Sequence, residues 1–224
     1  MKRKATPVLA TGRQHLPVQR GPLLLMLAVV TISVAIVALP AWGSSAANVQ
    51  CHSGDILEGT YNNVSVAKGN FCLLLGATVL GNVMANNSEQ IGIDGSNIGG
   101  DVQANNVTDN GWLCGSTVGG NVEVGNAGQS SAPPGSWFIG DASWCNFLPF
   151  DAVPGNSIGG NLNFHNDASG GFISNNDIEH NLDCHNNALA PSGSNNAVDG
   201  TSSDQCAGMD GAPDSDTLSP ADSD

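Results

Sequence analysis

A repeat of about twenty residues is the feature that most constrains the fold of this chain. Five segments share one pattern: a β-branched residue, two positions that are mostly glycine, an Asn or Asp, and then apolar-x-apolar. The first apolar residue after the Asn or Asp recurs at spacings of 19, 20, 40 and 20 residues. These marker residues are Val83, Val102, Val122, Leu162 and Leu182. Such a register predicts structural units stacked on one another.

Each unit alternates apolar and polar residues, so Val122 and Val124 point one way and Glu123 the other. One such strand cannot bury its apolar face alone, but coils stacked about 4.8 Å apart align these side chains into a shared interior. We expect the Asn and Asp residues to stack into a ladder and the Gly-Gly pairs to allow a coil corner. The pattern predicts an all-β fold, a single-stranded β-solenoid with coils of about twenty residues, in the form of a right-handed parallel β-helix.

The interval of 40 residues between Val122 and Leu162 equals two periods. It predicts one degenerate coil between residues 125 and 157, with a Gly/Pro-rich loop followed by several aromatic residues.

Residues 1–47 have the composition of an export signal. Five of the six basic residues precede a 17-residue apolar run from Leu23 to Leu39, and small residues follow it. Ser45 and Ala47, or Ser44 and Ala46, fit positions −3 and −1 of a cleavage site. A cleaved signal and an uncleaved signal-anchor both place the domain outside the cytoplasm, secreted or at the cell surface.

From Asn48 onward the chain has twenty acidic residues and one basic residue, Lys68, hence a net charge of −19. This composition excludes nucleic acid and anionic membrane surfaces as partners, because no cations can pair with their phosphates.

All six cysteines follow the export signal, and an even count in an exported chain predicts disulfides. We expect Cys51–Cys72 and Cys184–Cys206 to hold the two ends of a domain at 48–206, which leaves Cys114 with Cys145. The acidic segment 207–224 has no aromatic residues and is expected to be disordered.

Two residue groups are candidates for a ligand patch. Trp137 and Trp144 could form a sugar-stacking platform if they are exposed, or else pack beneath a loop. His165 and His185 occupy the same outward coil position one period apart, and together with Asp183 they could hold a metal or serve no specific purpose.

Catalytic signatures are missing from the sequence. No Arg occurs after residue 20, and no GxSxG or HExxH motif is present. Outward Glu123 and Asp183 would lie three coils, roughly 14 Å, apart, too far for a pair of glycosidase carboxylates. We therefore expect no enzymatic activity and no cofactor.

The chain resembles a group of uncharacterised secreted actinobacterial β-solenoid repeat proteins. The resemblance rests on the opening CHSGDILEGTYNNVSVAKGNFCLLLGATVLGNV, on STVGGNV and SNIGGDV coils, and on the closing NNDIEHNLDCHNNALAPSGSNNAVDGTSSDQC. It covers about residues 48–206 and implies an exported β-solenoid without known catalytic residues. The Gly-Asn/Asp-Val coils are also distantly similar to those of bactofilins, which are polymer-forming β-helical proteins.

These observations favour a non-catalytic surface or matrix protein, a rigid scaffold that binds a cell-surface partner or associates with itself. The alternative is a carbohydrate-binding or polysaccharide-active β-helix protein that contacts a glycan through Trp137 and Trp144.

Overall fold

The computed structural model describes residues 46–128, 137–140 and 155–211, which form 21 β-strands in three parallel sheets. Successive strands go to sheet 1, sheet 2 and sheet 3 in turn, so three strands make one coil; only in the last coil does no strand of the described residues join sheet 2. No helix in these ranges is long and apolar enough to cross a membrane.

Sheet 1 consists of β1 (Val49–Cys51), β4 (Val64–Val66), β7 (Val83–Met84), β10 (Val102–Asn105), β13 (Val122–Gly125), β16 (Leu162–His165), β19 (Leu182–His185) and β21 (Ser202–Asp204). Sheet 2 consists of β2 (Asp55–Leu57), β5 (Phe71–Leu75), β8 (Gln90–Asp94), β11 (Gly111–Cys114), β14 (Trp137–Gly140) and β17 (Gly171–Ser174). Sheet 3 consists of β3 (Thr60–Tyr61), β6 (Thr78–Val79), β9 (Asn97–Ile98), β12 (Thr117–Val118), β15 (Ser157–Ile158), β18 (Asp177–Ile178) and β20 (Ala197–Val198).

The marker residues of the repeat form one buried column in sheet 1. Direct register pairs join Val83, Val102, Val122, Leu162 and Leu182 in that order. In sheet 3 the β-branched residues, for example Ile98, Val118 and Ile158, form a second inward column. The predicted parallel β-solenoid is confirmed, whereas its hand stays a prediction.

The prediction of a degenerate coil between residues 125 and 157 is wrong. Strand β13 pairs directly with β16, so the 40 residues between Val122 and Leu162 make one coil with β14 and β15. The extra residues are inserted before and after β14, and they include ranges 129–136 and 141–154, which lie outside the described residues. An insertion at a coil corner leaves the strand register intact, so spacing alone cannot distinguish it from an extra coil.

The Gly-Gly pairs serve a different purpose from the one predicted. None of the Gly-Gly pairs in the repeat (Gly99-Gly100, Gly119-Gly120 and Gly159-Gly160) has a positive φ; that conformation occurs at other corners, for example at Asn87, Asn106 and Asn126. A Cβ on Gly99 would lie 2.5 Å from the carbonyl oxygen of Leu80 in the preceding coil, and one on Gly119 would lie 2.7 Å from that of Gly99. Glycine is used here because neighbouring coils approach closely.

Both ends of the solenoid carry the expected disulfides, Cys51–Cys72 and Cys184–Cys206, with all four cysteines fully buried. Cys114 is also disulfide-bonded, but Cys145, its expected partner, lies outside the described residues.

The expectation of disorder immediately after Cys206 is wrong for residues 207–211. Met209 packs against the core, and its carbonyl accepts a hydrogen bond from the Asn196 side chain at 3.1 Å. The remaining residues, 212–224, lie outside the described ranges.

Two side-chain ladders connect the coils. In the outer ladder, from Asn63 onward, each side-chain oxygen accepts a hydrogen bond from the backbone N–H of the corresponding residue in the next coil. The Asn161 N–H donates to Asn121 at 2.9 Å, and the Asn181 N–H donates to Asn161 at 3.1 Å. Its members are Asn48, Asn63, Asn82, Asp101, Asn121, Asn161, Asn181 and Thr201. The predicted ladder is confirmed, including amide-to-amide bonds such as Asn161 to Asn121 at 3.0 Å.

The inner ladder was not foreseen. It lies at the corner between sheets 2 and 3 and is formed by Ser96, Ser116, Asn156, Asn176 and Asn196, all buried. A sequence signal for it exists, because a Ser or Asn stands two residues before the β-branched residue of each of these coils.

Candidate functional site

Trp137 does not lie on a surface. It is 2% exposed and faces the interior, where it pairs with Gly111 on one side and Gly171 on the other. A Cβ on Gly111 would overlap the indole ring, so this glycine makes room for the tryptophan, whereas a Cβ on Gly171 would meet the ring of Phe164 at 2.7 Å. An exposed platform at Trp137 is therefore contradicted, and Trp144 lies outside the described residues.

Trp112 belongs to a separate apolar cluster on the outer face of sheet 2. Its ring lies over Gly92 of the preceding coil, and it is 8% exposed. Phe71, Leu73, Phe138 and the disulfide-bonded Cys114 complete this cluster. The same face continues to Phe172, which is 36% exposed beside a shallow groove of about 310 Å³.

The two outward histidines meet as predicted. His165 and His185 are register partners in β16 and β19, and their rings stack with centroids 5.2 Å apart and planes 9° from parallel. The ring of His165 lies over Gly125, which has no side chain to displace it. Together with Glu123 and Asp183, these histidines form a column on the outer face of sheet 1, which is called the histidine–carboxylate column below.

Each imidazole faces a carboxylate. Nε2 of His165 lies 3.5 Å from Oε1 of Glu123, and Nδ1 of His185 lies 3.2 Å from Oδ2 of Asp183. Nδ1 of His165 is 2.8 Å from the side-chain nitrogen of Asn166. Because an amide nitrogen only donates, this contact is a hydrogen bond in the tautomer that carries the ring proton on Nε2, which faces Glu123.

Further hydrogen bonds extend this column over neighbouring coils. Asn105 donates to Glu123 at 3.3 Å, and the Ser203 hydroxyl donates to Asp183 at 3.0 Å. Ser203, Asp183 and His185 are the residue types of a catalytic triad. However, the serine hydroxyl donates its hydrogen bond to the carboxylate and not to the imidazole. The histidine therefore cannot accept the serine proton, and this arrangement does not activate a nucleophile.

Within residues 46–128, 137–140 and 155–211, no group of three or more His, Cys, Asp or Glu residues could hold a metal ion.

Glu123 and Asp183 are closer than the sequence analysis predicted. Glu123 pairs with Asn163 and Asn163 pairs with Asp183, so the two acids are two coils apart, roughly 10 Å by strand spacing. The difference follows from the 40-residue coil. Asn163 stands between them on the same sheet face, and they do not flank a cleft as a pair of glycosidase carboxylates does.

Two buried acids were missed by sequence reasoning. Burial raises the pKa of Asp94, whose side-chain oxygens have no hydrogen-bond partner among the described residues. Burial also raises the pKa of Asp167 to about 6, although a hydrogen bond from the backbone N–H of Ala127 opposes the rise. The second carboxylate oxygen of Asp167 is buried without a partner in the described part of the chain.

No protein-family model matches this chain, and neither a curated protein nor a solved structure matches it.

Proposed function

We propose that this chain is exported and acts outside the cytoplasm as a non-catalytic scaffold, a rigid β-solenoid that presents its acidic outer faces to a surface or matrix partner. The observation that carries the proposal is the continuous stacking from β1 to β21, with a disulfide near each end. Polar side chains in these coils join neighbouring coils through the outer and inner ladders.

Export is supported by the charge pattern of residues 1–47 and by the disulfides, which are consistent with an extracellular location because they persist in oxidising compartments. The resemblance to secreted actinobacterial β-solenoid proteins points the same way. Expression of the full chain in a bacterial host, followed by fractionation, tests this part. We expect the protein in the medium or accessible to external protease. Retention in the cytoplasm with reduced cysteines would contradict it.

The absence of catalysis is tested with a panel of soluble polysaccharides and a reducing-sugar assay. We expect no product above the buffer control. Glu123→Gln is the informative variant, because Glu123 and Asp183 share one sheet face. Hydrolysis by the parent protein that is lost in Glu123→Gln would establish an enzyme and overturn the proposal.

The partner is expected to be cationic, because the net charge after residue 47 is −19. Poly-lysine is a suitable probe, with poly-glutamate and duplex DNA as controls. We expect binding to poly-lysine that weakens as salt increases, and no binding to either control. Salt-independent binding to DNA would contradict the proposed acidic contact face.

A further inference from the structure

The repeat begins earlier than the five copies that define it. Ala47-Asn48-Val49 has the same form as Gly81-Asn82-Val83, with a small residue, then Asn, then Val. Register pairs join Val49 to Val64 and Val64 to Val83, so the three valines share one column. Ala47 therefore occupies the position of the second glycine of a Gly-Gly pair.

Backbone hydrogen bonds confirm that Ala47 belongs to the solenoid. At this position the N–H of each coil donates to the carbonyl of the preceding coil: Gly100 to Gly81 at 2.9 Å, Gly81 to Asn62 at 2.7 Å, and Asn62 to Ala47 at 2.9 Å. The side chain of the next residue, Asn48, accepts from Asn63 at 2.9 Å as the first member of the outer ladder. The first coil thus starts at Ala47.

The export signal contains two overlapping cleavage sites of equal quality. Ser44 and Ala46 direct hydrolysis to the 46–47 bond, whereas Ser45 and Ala47 direct it to the 47–48 bond. Hydrolysis after Ala47 would remove the carbonyl that accepts the Asn62 N–H and would cut inside the first repeat unit. Hydrolysis after Ala46 leaves that unit complete.

We infer that signal peptidase hydrolyses the Ala46–Ala47 peptide bond and that the mature protein begins at Ala47; the inference rests on the proposed export. Water is added across the bond, giving a carboxylate on Ala46 and an ammonium group on Ala47.

The N-terminus of the exported protein tests the inference directly. The full chain is expressed in a host with signal peptidase, and the exported fraction is analysed by intact mass and N-terminal peptide sequencing. We expect Ala47 as the first residue. Ser44→Phe, which places a bulky residue at −3 of this site, should abolish this N-terminus, and the matched Ser45→Phe should leave it unchanged.

Failure of the inferred cleavage site can be distinguished from failure of the proposed export. An exported protein that begins at Asn48, that keeps its signal, or that loses processing only in Ser45→Phe would overturn the inferred site while leaving the proposed export intact. A chain that stays in the cytoplasm would overturn the proposed function itself.

Amide hydrogen exchange provides a second readout that does not depend on the protease. Chains beginning at Ala47 and at Asn48 are prepared by removal of a cleavable tag. We expect slow exchange of the Asn62 amide only in the chain that begins at Ala47. The Asn82 amide, which donates to Asn63 in both chains, is the internal control. Equal exchange of Asn62 in the two chains would contradict the role assigned to Ala47.

Discussion

Asp167 lies at a corner of its coil. The equivalent position in the next coil is occupied by an amide, Asn187. The backbone N–H of Asp167 donates to Asn187 at 2.9 Å, and the side-chain nitrogen of Asn187 donates to the carbonyl of Phe164 at 3.0 Å. One coil earlier, Val124 is the register partner of Phe164. The carbonyl of Val124 is therefore the group to which an amide at position 167 would donate. An ionised carboxylate has no proton to donate there, and its burial raises the pKa of Asp167 to about 6.

We expect Asp167→Asn to stabilise the protein at pH 7 by about 1–3 kcal/mol. The pKa of Asp167 is higher in the folded protein than in the unfolded chain, so the folded state keeps its proton to higher pH. The free energy of unfolding of the parent should fall as the pH rises from about 4 to about 6 and then stay low. Denaturant unfolding between pH 4 and 7.5 measures this slope, which should decrease in the variant. Asp183→Asn, on the surface, is the control, and an unchanged slope in Asp167→Asn would refute the assignment.

The glycines beside Trp137 give a second residue-scale test. We expect Gly111→Ala to lower the free energy of unfolding by about 1–3 kcal/mol, because the added methyl group would overlap the indole ring. Gly211→Ala is the matched control, since its Cβ would meet no atom closer than 3.6 Å and its φ is not positive. Both are measured by denaturant unfolding. If the two variants lose equal stability, close packing is not the reason for glycine at 111.

At the scale of the element, both ladders join a backbone N–H to a side chain of the neighbouring coil, but in opposite directions along the solenoid and with different solvent exposure. Asn121 in the outer ladder is exposed, whereas Asn156 in the inner ladder is buried. Asn156 accepts from the Ser116 N–H at 2.9 Å and donates to the Leu113 carbonyl and to Asn176, both at 2.8 Å. Removal of its side chain would leave these groups without partners in an environment that excludes water.

We therefore expect Asn156→Ala to cost about 2–4 kcal/mol of unfolding free energy and Asn121→Ala about 1 kcal/mol or less, because water can replace the lost bonds only at the surface. Equilibrium denaturation of both variants checks the difference. Similar losses would show that solvent access does not separate the ladders.

The ladders also show what strand-scale sequence reasoning can recover. The Asn and Asp residues of the outer ladder stand next to the marker residues, so their stacking follows directly from the repeat. The inner ladder was not predicted, because Ser and Asn residues before a strand are also ordinary turn residues. Only the stacked corner shows that Ser116 and Asn156, 40 residues apart, are hydrogen-bonded neighbours.

At the scale of the whole molecule, the stacked coils predict that stability is local. In a solenoid each coil contacts mainly its neighbours, so the loss of one end should not unfold the other. We expect the double variant Cys184→Ala/Cys206→Ala to lose about 2–4 kcal/mol and to exchange amide hydrogens faster in β19–β21, with β1 and β4 unchanged. Hydrogen exchange followed by mass spectrometry measures this.

The reciprocal variant, Cys51→Ala/Cys72→Ala, should show the opposite distribution of exchange, fast in β1 and β4 and slow in β19–β21. Uniform acceleration over all strands in either variant would mean that the coils unfold as one cooperative unit.

The sequence alone determined the repeat, the shared column of Val83, Val102 and Val122, the two end disulfides and the stacking of His165 on His185, because each depends on a constant period along the chain. Only the tertiary structure decided that residues 122–162 form one coil, that Trp137 faces inward and that Trp112 faces outward. These outcomes depend on which strands pair across an insertion and on which glycines make room for a ring. Neither is encoded in spacing, since a strand of four residues can be displaced along the chain by loops of any length and still stack in register.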